Sequence, residues 1–433
     1  MRTRLHRLTL AGLTAASMLL PVATASATPA TGAEGPLGAG FLWGVAASGF
    51  QSEGHAPDSN WLRYIDKNPE WDRYGDSVDF YSRYRDDIAL AAGLGAKVFR
   101  VGIEWARVQP TPESWDENGF AFYESVVDEI LAAGMHPMLT LDHWVYPGWV
   151  ADQGGWNSPG MAEQWLASAR MVVDRFASRK PVWVTVNEPV AYVMHEHRQN
   201  QTDPNQMLDA VARVHNDIYD YIHRVQPEAM VTANVGYVAG AEEEVNGPLI
   251  ERIRDRLDFV GVDYYFGHEP DDGAAVPVAE PKGMWDLPVR PEGIYYALRH
   301  YAQMFPDKPL WIVENGVPSN DGVHAGYTRA DHLRDTVYWL QRAKADGIRL
   351  MGYNYWSITD NYEWGSYAPR FGLYTVDVRT DPQLTRRPTE AVDAYRRIIR
   401  AGGVRADYTP VRAPSECGLV DPPASCDHPV TVP

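Results

Sequence analysis

From residue 41 onward the chain alternates short apolar runs with longer amphipathic stretches, eight times over. The short runs are 41–48, 98–105, 136–144, 182–189, 230–236, 259–265, 310–316 and 350–357. Their length and their β-branched and aromatic content predict strands buried on both faces. The stretches between them, 79–96, 120–133, 159–179, 205–225, 248–257, 291–305, 329–346 and 389–401, repeat apolar positions every three or four residues and predict helices. Gly95, Gly134, Gly347 and Gly402 stand where such helices would stop. Eight strand-then-helix units with strands this apolar predict a parallel sheet closed into a (β/α)8 TIM barrel, an α/β fold. An open doubly wound sheet is the competing layout, and the first strand lacks the glycine-rich phosphate loop that would favour it. No linker or low-complexity tract interrupts residues 36–403, so one catalytic domain is expected there, with 404–433 as a Pro-rich tail.

A barrel carries its chemistry at the C-terminal ends of its strands. Those ends hold Gln51 and Glu53, Glu104 and Trp105, His143 and Trp144, Asn187 and Glu188, Asp263 and Tyr265, Glu314, and Trp356. Two of the strands finish in a glutamate followed by a chain-breaking residue: Val186-Asn187-Glu188-Pro189 and Val313-Glu314-Asn315-Gly316. A carboxylate at the end of a buried strand is stable only if it is solvated, paired or hydrogen-bonded. Two carboxyl groups facing each other across a pocket are the working parts of glycosidic bond hydrolysis, one ionised and one holding a proton near neutral pH. Arg100, midway along the second strand, is placed to pair with Glu314, and Asn187 offers an amide beside Glu188. Trp144, Trp356 and Trp364 suit stacking on a sugar face, while Gln51, His143, Asn187 and Glu363 suit hydrogen bonds to hydroxyls.

Composition narrows the partners. The 433 residues carry a formal charge of −18, a field that repels nucleic acid and anionic membrane surfaces but tolerates a neutral sugar. The first residues are set apart: Arg2, Arg4 and Arg7 precede an apolar run from residue 8 to 23, and Ala25-Ser26-Ala27 has the small residues of a cleavage site. This predicts a signal peptide over residues 1–27 and a secreted, extracellular protein. A membrane anchor is the alternative, weakened by Thr, Ser and Pro in a run shorter than the ~20 residues a span needs. The leader holds three arginines and no acid, so its loss takes the charge to −21. The only cysteines, Cys417 and Cys426, read as one local disulfide in an exported protein, against the alternative of two free thiols. His195-Glu196-His197 has a look of metal ligands, but its spacing is unspecific and a surface cluster in the loop after the fourth strand is the plainer expectation.

At these positions the chain resembles glycoside hydrolase family 1, the β-glucosidase and β-galactosidase family of clan A. The resemblance runs from Phe41 to about Arg400. It is carried by Phe41-Leu42-Trp43-Gly44, Gln51-Ser52-Glu53-Gly54, Phe99-Arg100, Glu104-Trp105-Ala106-Arg107, His143-Trp144, Thr185-Val186-Asn187-Glu188-Pro189, Asp263-Tyr264-Tyr265, Val313-Glu314-Asn315-Gly316, the run from Trp356 to Trp364, and Arg370-Phe371-Gly372-Leu373. The resemblance implies a retaining β-glycosidase with Glu188 as acid/base and Glu314 as nucleophile. It implies a glycone subsite of Gln51, His143, Asn187, Glu363 and Trp364, with Trp356 as the acceptor-side platform. Arg100 and Tyr265 would hold Glu314, and no metal or organic cofactor would be needed. Substrates would be β-glycosides or short oligosaccharides; transglycosylation with the same two glutamates, or an inactive carbohydrate-binding relative, are the alternatives. The chain departs from the family in having Asp263 where Asn is usual and Val145-Tyr146-Pro147 after His143-Trp144. The segments 190–202 and 266–290 look short, which predicts an open entrance.

Overall fold

A computed structural model describes residues 35–267, 289–319 and 326–414. The leader, most of the segment after the sixth strand and the cysteine pair lie outside these residues. Eight strands form a closed parallel barrel in sequence order: β1 (Leu42–Ala46), β2 (Val98–Gly102), β3 (His136–Asp142), β4 (Val182–Asn187), β5 (Val231–Gly236), β6 (Val260–Asp263), β7 (Leu310–Asn315) and β8 (Leu350–Trp356). β1 pairs with β8 over five residues, which closes the ring. The expected (β/α)8 architecture is therefore present, and each of the eight apolar runs supplies one strand.

The expected helices follow the strands. All four glycines read as helix stops sit at positive φ: Gly95 at 90°, Gly134 at 76°, Gly347 at 93° and Gly402 at 68°. Only a residue without Cβ takes that conformation cheaply. At the other end, helix Arg329–Ala345 starts on a capping box in which Thr328 and Asp331 each accept a backbone N–H.

Side-chain alternation divides most of the interior into two apolar bodies, with a small third cluster of Ala46, Trp356 and Phe371 at the barrel mouth. Val98, Met138, Val184, Phe259, Trp311 and Val313 fill the barrel. Phe99, Val101, Leu139, Val186 and Ile312 belong to the larger core between strands and helices. Each such fully buried side chain contributes about 1.5–3 kcal/mol, so the two layers fix the strands firmly.

The regular alternation breaks where the chemistry begins. β4 and β5 pair Val184 with Thr232 but Asn187 with Asn234, three residues against two. β7 and β8 repeat the pattern, Ile312 with Tyr353 but Asn315 with Tyr355. β6 and β7 shift between Val262 and Asp263. An extra residue on one strand re-aims the side chains beyond it. On β7, Val313 and Glu314 both face the barrel, where strict alternation would send Glu314 outward.

One expectation about the chain after β4 is overturned. Residues 189–200 form a helix, Pro189–Asn200, rather than a loop, because Pro189 at its first turn needs no hydrogen-bonded N–H and Glu188 in the left-handed region makes the turn into it. The His195-Glu196-His197 cluster is accordingly split: His195 and Glu196 turn inward and only His197 stays on the surface. His195 is buried and stacks on Trp61 with ring centroids 4.8 Å apart, and the buried carboxylate of Glu196 accepts from Tyr64 at 2.7 Å and Tyr146 at 2.9 Å. His197 Nδ1 contacts the carbonyl of Thr202 at 2.9 Å. The three side chains serve three different contacts.

At the other end of the domain, Asp335 accepts from the Tyr408 hydroxyl at 2.6 Å and from the backbone N–H groups of Val411 and Arg412. This ties residues 404–414 to helix Arg329–Ala345. No helix among the described residues is long and apolar enough to cross a membrane.

Candidate active site

The strand ends surround a cavity that opens to solvent. Gln51, His143, Trp144, Asn187, Glu188, Asp263, Tyr265, Glu314, Trp356, Glu363 and Trp364 all line it, so eleven of the twelve residues read as site candidates in the barrel meet in one place. The twelfth, Arg100, lies beneath them with no exposed surface. Other polar strand ends do not reach the cavity. Glu53 turns back to Arg107 at 2.8 Å and Tyr123 at 2.8 Å, and Glu104 accepts from the Phe50 N–H at 2.9 Å. These two carboxyls brace the short helix Gly49–Glu53 that carries Gln51, while Trp105 Nε1 donates to Gln109 at 2.8 Å.

Glu314 and Glu188 sit in contrasting surroundings. Glu314, 4% exposed, is ion-paired to Arg100 Nη1 and accepts from the Tyr265 hydroxyl at 2.7 Å. Burial holds the Tyr265 phenol well above its ordinary pKa, so it remains a donor. Glu188 follows the last residue of β4 with φ 39°. Its carboxyl takes no side-chain hydrogen bond from the described residues, and desolvation followed by the charge of Glu314 pushes its pKa up to about 8. Room for it comes from β5: a Cβ on Gly236 would lie 2.4 Å from Glu188 Oε1.

Arg100 organises more than one partner. Its Nε donates to Thr140 Oγ1 at 2.9 Å and its Nη2 to Asn187 Oδ1 at 2.6 Å. Asn187 Oδ1 also accepts from Asn234 Nδ2 at 2.7 Å, which leaves the Asn187 amide N–H groups free for a ligand. Asn234 in turn donates to Asp263 Oδ2. Asn234, Thr140 and Gly236 are site residues that the sequence reading did not single out. The available signal was a polar residue and a glycine inside apolar strands, Thr232-Ala233-Asn234-Val235-Gly236 and Met138-Leu139-Thr140-Leu141.

The opposite wall is aromatic. Trp356 Nε1 donates to Glu363 Oε1 at 2.8 Å, and the His143 ring stacks on Trp356 at 6.0 Å. Trp144 Nε1 donates to the Asn187 carbonyl at 2.7 Å and its ring meets Trp364 edge-on at 5.1 Å. Gln51 Nε2 reaches Asn361 Oδ1 at 3.2 Å and its Oε1 accepts from Ser48 at 2.6 Å. Burial, and then the nearby Arg100, hold His143 well below its ordinary pKa, so it is a neutral imidazole. Burial also raises Glu363, to about 8. The set can hydrogen-bond hydroxyls, stack on an apolar sugar face and offer carboxyls that hold a proton near neutral pH beside the ion-paired Glu314. Among the described residues no cluster of three or more His, Cys, Asp or Glu side chains is arranged to hold a metal.

A closed (β/α)8 barrel with two glutamates at the ends of β4 and β7 defines a glycoside-hydrolysing class of site. Residues 33–234 and 239–404 match the sequence model of glycosyl hydrolase family 1, and the chain belongs to that family. It is 29% identical to a 1,4-beta-D-glucan glucohydrolase of Thermotoga neapolitana, covering 84% of this chain and 98% of that protein. It is 28% identical to a chloroplast galactolipid galactosyltransferase of Arabidopsis thaliana, covering 76% of this chain and 59% of that one. The structure of a beta-glucosidase from Thermotoga maritima in complex with deoxynojirimycin matches with a TM-score of 0.74 at 26% identity, over 85% of this chain and 99% of that one. The protein is thus an O-glycosyl hydrolase of the β-glucosidase type.

Proposed function

We propose that the chain hydrolyses terminal β-glycosides with retention of configuration, Glu314 attacking the anomeric carbon and Glu188 giving and then recovering the leaving-group proton. The observation that carries this reading is the contrast between the two carboxyls in one cavity. Glu314 has a guanidinium and a phenol to balance its charge, and Glu188 has neither and keeps its proton up to about 8. In such a double displacement, the C–O bond to the leaving group breaks as the bond to Glu314 forms, and the departing oxygen takes the Glu188 proton. Water then adds at the same carbon as the bond to Glu314 breaks, losing its proton to Glu188 and returning Glu314 to a carboxylate. Asn187 and Glu363 would bind hydroxyls of the sugar, with Gln51 and His143 beside them and Trp364 beneath; Trp356 would face the acceptor. The mechanism draws on side chains alone and calls for no cofactor. The substrate is a neutral β-glycoside or short oligosaccharide.

A 2-deoxy-2-fluoro aryl β-glucoside tests this directly. Peptide mass mapping is expected to find the sugar on Glu314; an adduct on another residue, or a first-formed product of inverted configuration, overturns the assignment. A panel of gluco, galacto and fuco aryl glycosides ranks the sugars.

Transfer of the glycosyl group to a sugar or alcohol in place of water is a second reading. It is favoured by the galactosyltransferase relative and by the apolar wall of Val145, Ala191, Val238 and Ala239 near Glu188. Product analysis with added acceptor separates the two. The leader pattern supports export of the mature chain, and an N-terminus near residue 28 on protein recovered from the medium is the expected result.

A further inference from the structure

Four carboxyl groups line the cavity, Glu188, Asp263, Glu314 and Glu363, and among the described residues no lysine or arginine does. The guanidinium beneath them, Arg100, is already divided among Glu314, Asn187 and Thr140. Of the four, only Glu314 is ion-paired; Glu363 accepts from Trp356, and Asp263 is the most deeply buried of those without a cation. It lies on β6 in register with Glu314 on β7 and Gly236 on β5, and it is 1% exposed.

The hydrogen bonds around it fix the role of each oxygen. Arg100 can only donate, so Asn187 Oδ1 is the acceptor between Arg100 and Asn234. The atom of Asn234 facing Asn187 is therefore its Nδ2, and the same Nδ2 donates to Asp263 Oδ2. Oδ2 is thereby an acceptor. Oδ1 is buried and has no partner. A carboxylate in this place would leave a charged oxygen with nothing to donate to it, beside the carboxyls of Glu188 and Glu314, which is the costliest arrangement a buried acid can take.

We propose that Asp263 is a positioning residue that stays a neutral acid, carries its proton on Oδ1 and presents that O–H as a hydrogen-bond donor to the cavity. The inference rests on the hydrolytic reading for its kinetic consequence and on geometry for the proton. The groups that face Asp263 agree with it. Glu188 extends from the end of β4 and Glu314 from β7, both carboxyls; Asn234 on β5 and Tyr265, two residues along the chain, are neutral; Arg100 on β2 is the sole cation; and Glu363 and the neutral His143 lie farther round the rim. Burial first, then Glu314 and Glu188, push the Asp263 acid well above its ordinary range. A neutral Asp263 confines the negative charge of this part of the floor to Glu314, where Arg100 and Tyr265 balance it.

Infrared difference spectra of Asp263→Asn against wild type, together with pH profiles, provide the test. Asparagine copies the pattern of a neutral acid, with its carbonyl to Asn234 and its N–H toward the cavity. At about pH 7 the wild type is expected to show one buried protonated-acid carbonyl band that the Asn variant lacks. The Asn variant should keep kcat/KM for an aryl β-glucoside within about threefold, with the alkaline limb unmoved. Asp263→Ala, which removes the donor, should lose about 10- to 100-fold in kcat/KM with its thermal midpoint above assay temperature. The Glu188 and Glu363 acids are common to both proteins and cancel, so a difference spectrum that shows no acid carbonyl band lost in the Asn variant overturns the proposal. So does an alkaline limb lowered by about one pH unit in that variant, because removing a true negative charge would ease proton loss from Glu188. If the wild type turns over no aryl β-glycoside, the hydrolytic reading fails and the infrared result still decides where the proton is.

Discussion

The two glutamates at the cavity are alike in sequence setting, each closing an apolar strand, and opposite in physical setting. Glu314 is held from two sides, by Arg100 and by the Tyr265 hydroxyl at 2.7 Å. Glu188 stands at the turn into helix Pro189–Asn200 with no side-chain donor among the described residues, against a glycine on β5. One cavity therefore contains an acid and a paired carboxylate because its two sides differ in donors, not in the residue that titrates.

The largest expected effect comes from removing the paired member. Glu314→Ala should lower kcat for an aryl β-glucoside by on the order of 10⁴-fold or more, with azide failing to restore a β-configured product. Glu188→Ala should cost about 10²–10⁴-fold for poor leaving groups and much less for an activated phenol that needs no proton. Equal losses for both variants across a series of leaving groups would erase the contrast. Steady-state kinetics on such a series reads it out.

Gly236→Ala sharpens the comparison from the β5 side. The added Cβ would sit 2.4 Å from Glu188 Oε1, so the acid must move while Arg100, Glu314 and Tyr265 keep their contacts. Turnover should fall about 10- to 100-fold, and labelling by the fluoro-glucoside with an activated leaving group should fall far less. Equal damage to both steps would mean that the glycine serves the whole site.

The smallest effect is on stability. A folded pKa of about 8 against an ordinary 4.5 means that between these values the folded chain holds a Glu188 proton that the unfolded chain has lost. Its contribution to stability is complete below the lower value and disappears as pH rises through the upper one. Glu188→Gln removes that dependence, and discounted for partial exposure the variant should be about 1–2 kcal/mol more stable than wild type near pH 7. Denaturation midpoints at several pH values test this. A wild-type curve that rises with pH over the same interval would contradict the raised acid.

Much of this was legible along the chain because a barrel strand has a simple signature. Both of its faces are dry, so the run is apolar throughout, and it recurs with a helix eight times. A strand end with a charge is then conspicuous. Glu188 and Glu314, with Asn187 beside the first, are legible this way, Arg100 as a charge inside an apolar strand, and the four helix-stopping glycines by their place after the last apolar turn. Glu53 and Glu104 showed the limit of the same rule: they too stand at strand ends, but they turn to Arg107, Tyr123 and the Phe50 backbone instead of the cavity. Asn234 and Thr140 were missed for the converse reason, since a single polar residue inside an apolar strand reads as tolerated until its partner is known. The helix after β4 was missed because its start depends on Glu188 taking a left-handed turn, which no propensity announces.

By itself the sequence determined the barrel, its strand order and the pair of carboxyls, since hydrophobic period and turn residues are local properties of a chain. Only the tertiary structure decided which way those carboxyls face and which one keeps a proton. Bulges in β4 and β7 turn Asn187 and Glu314 into the mouth, and these arise from register with neighbouring strands. The protonation of Glu188, through burial and the charge of Glu314, and the partnering of Glu314 by Arg100 depend on groups far apart in the chain, which approach only when the ring closes.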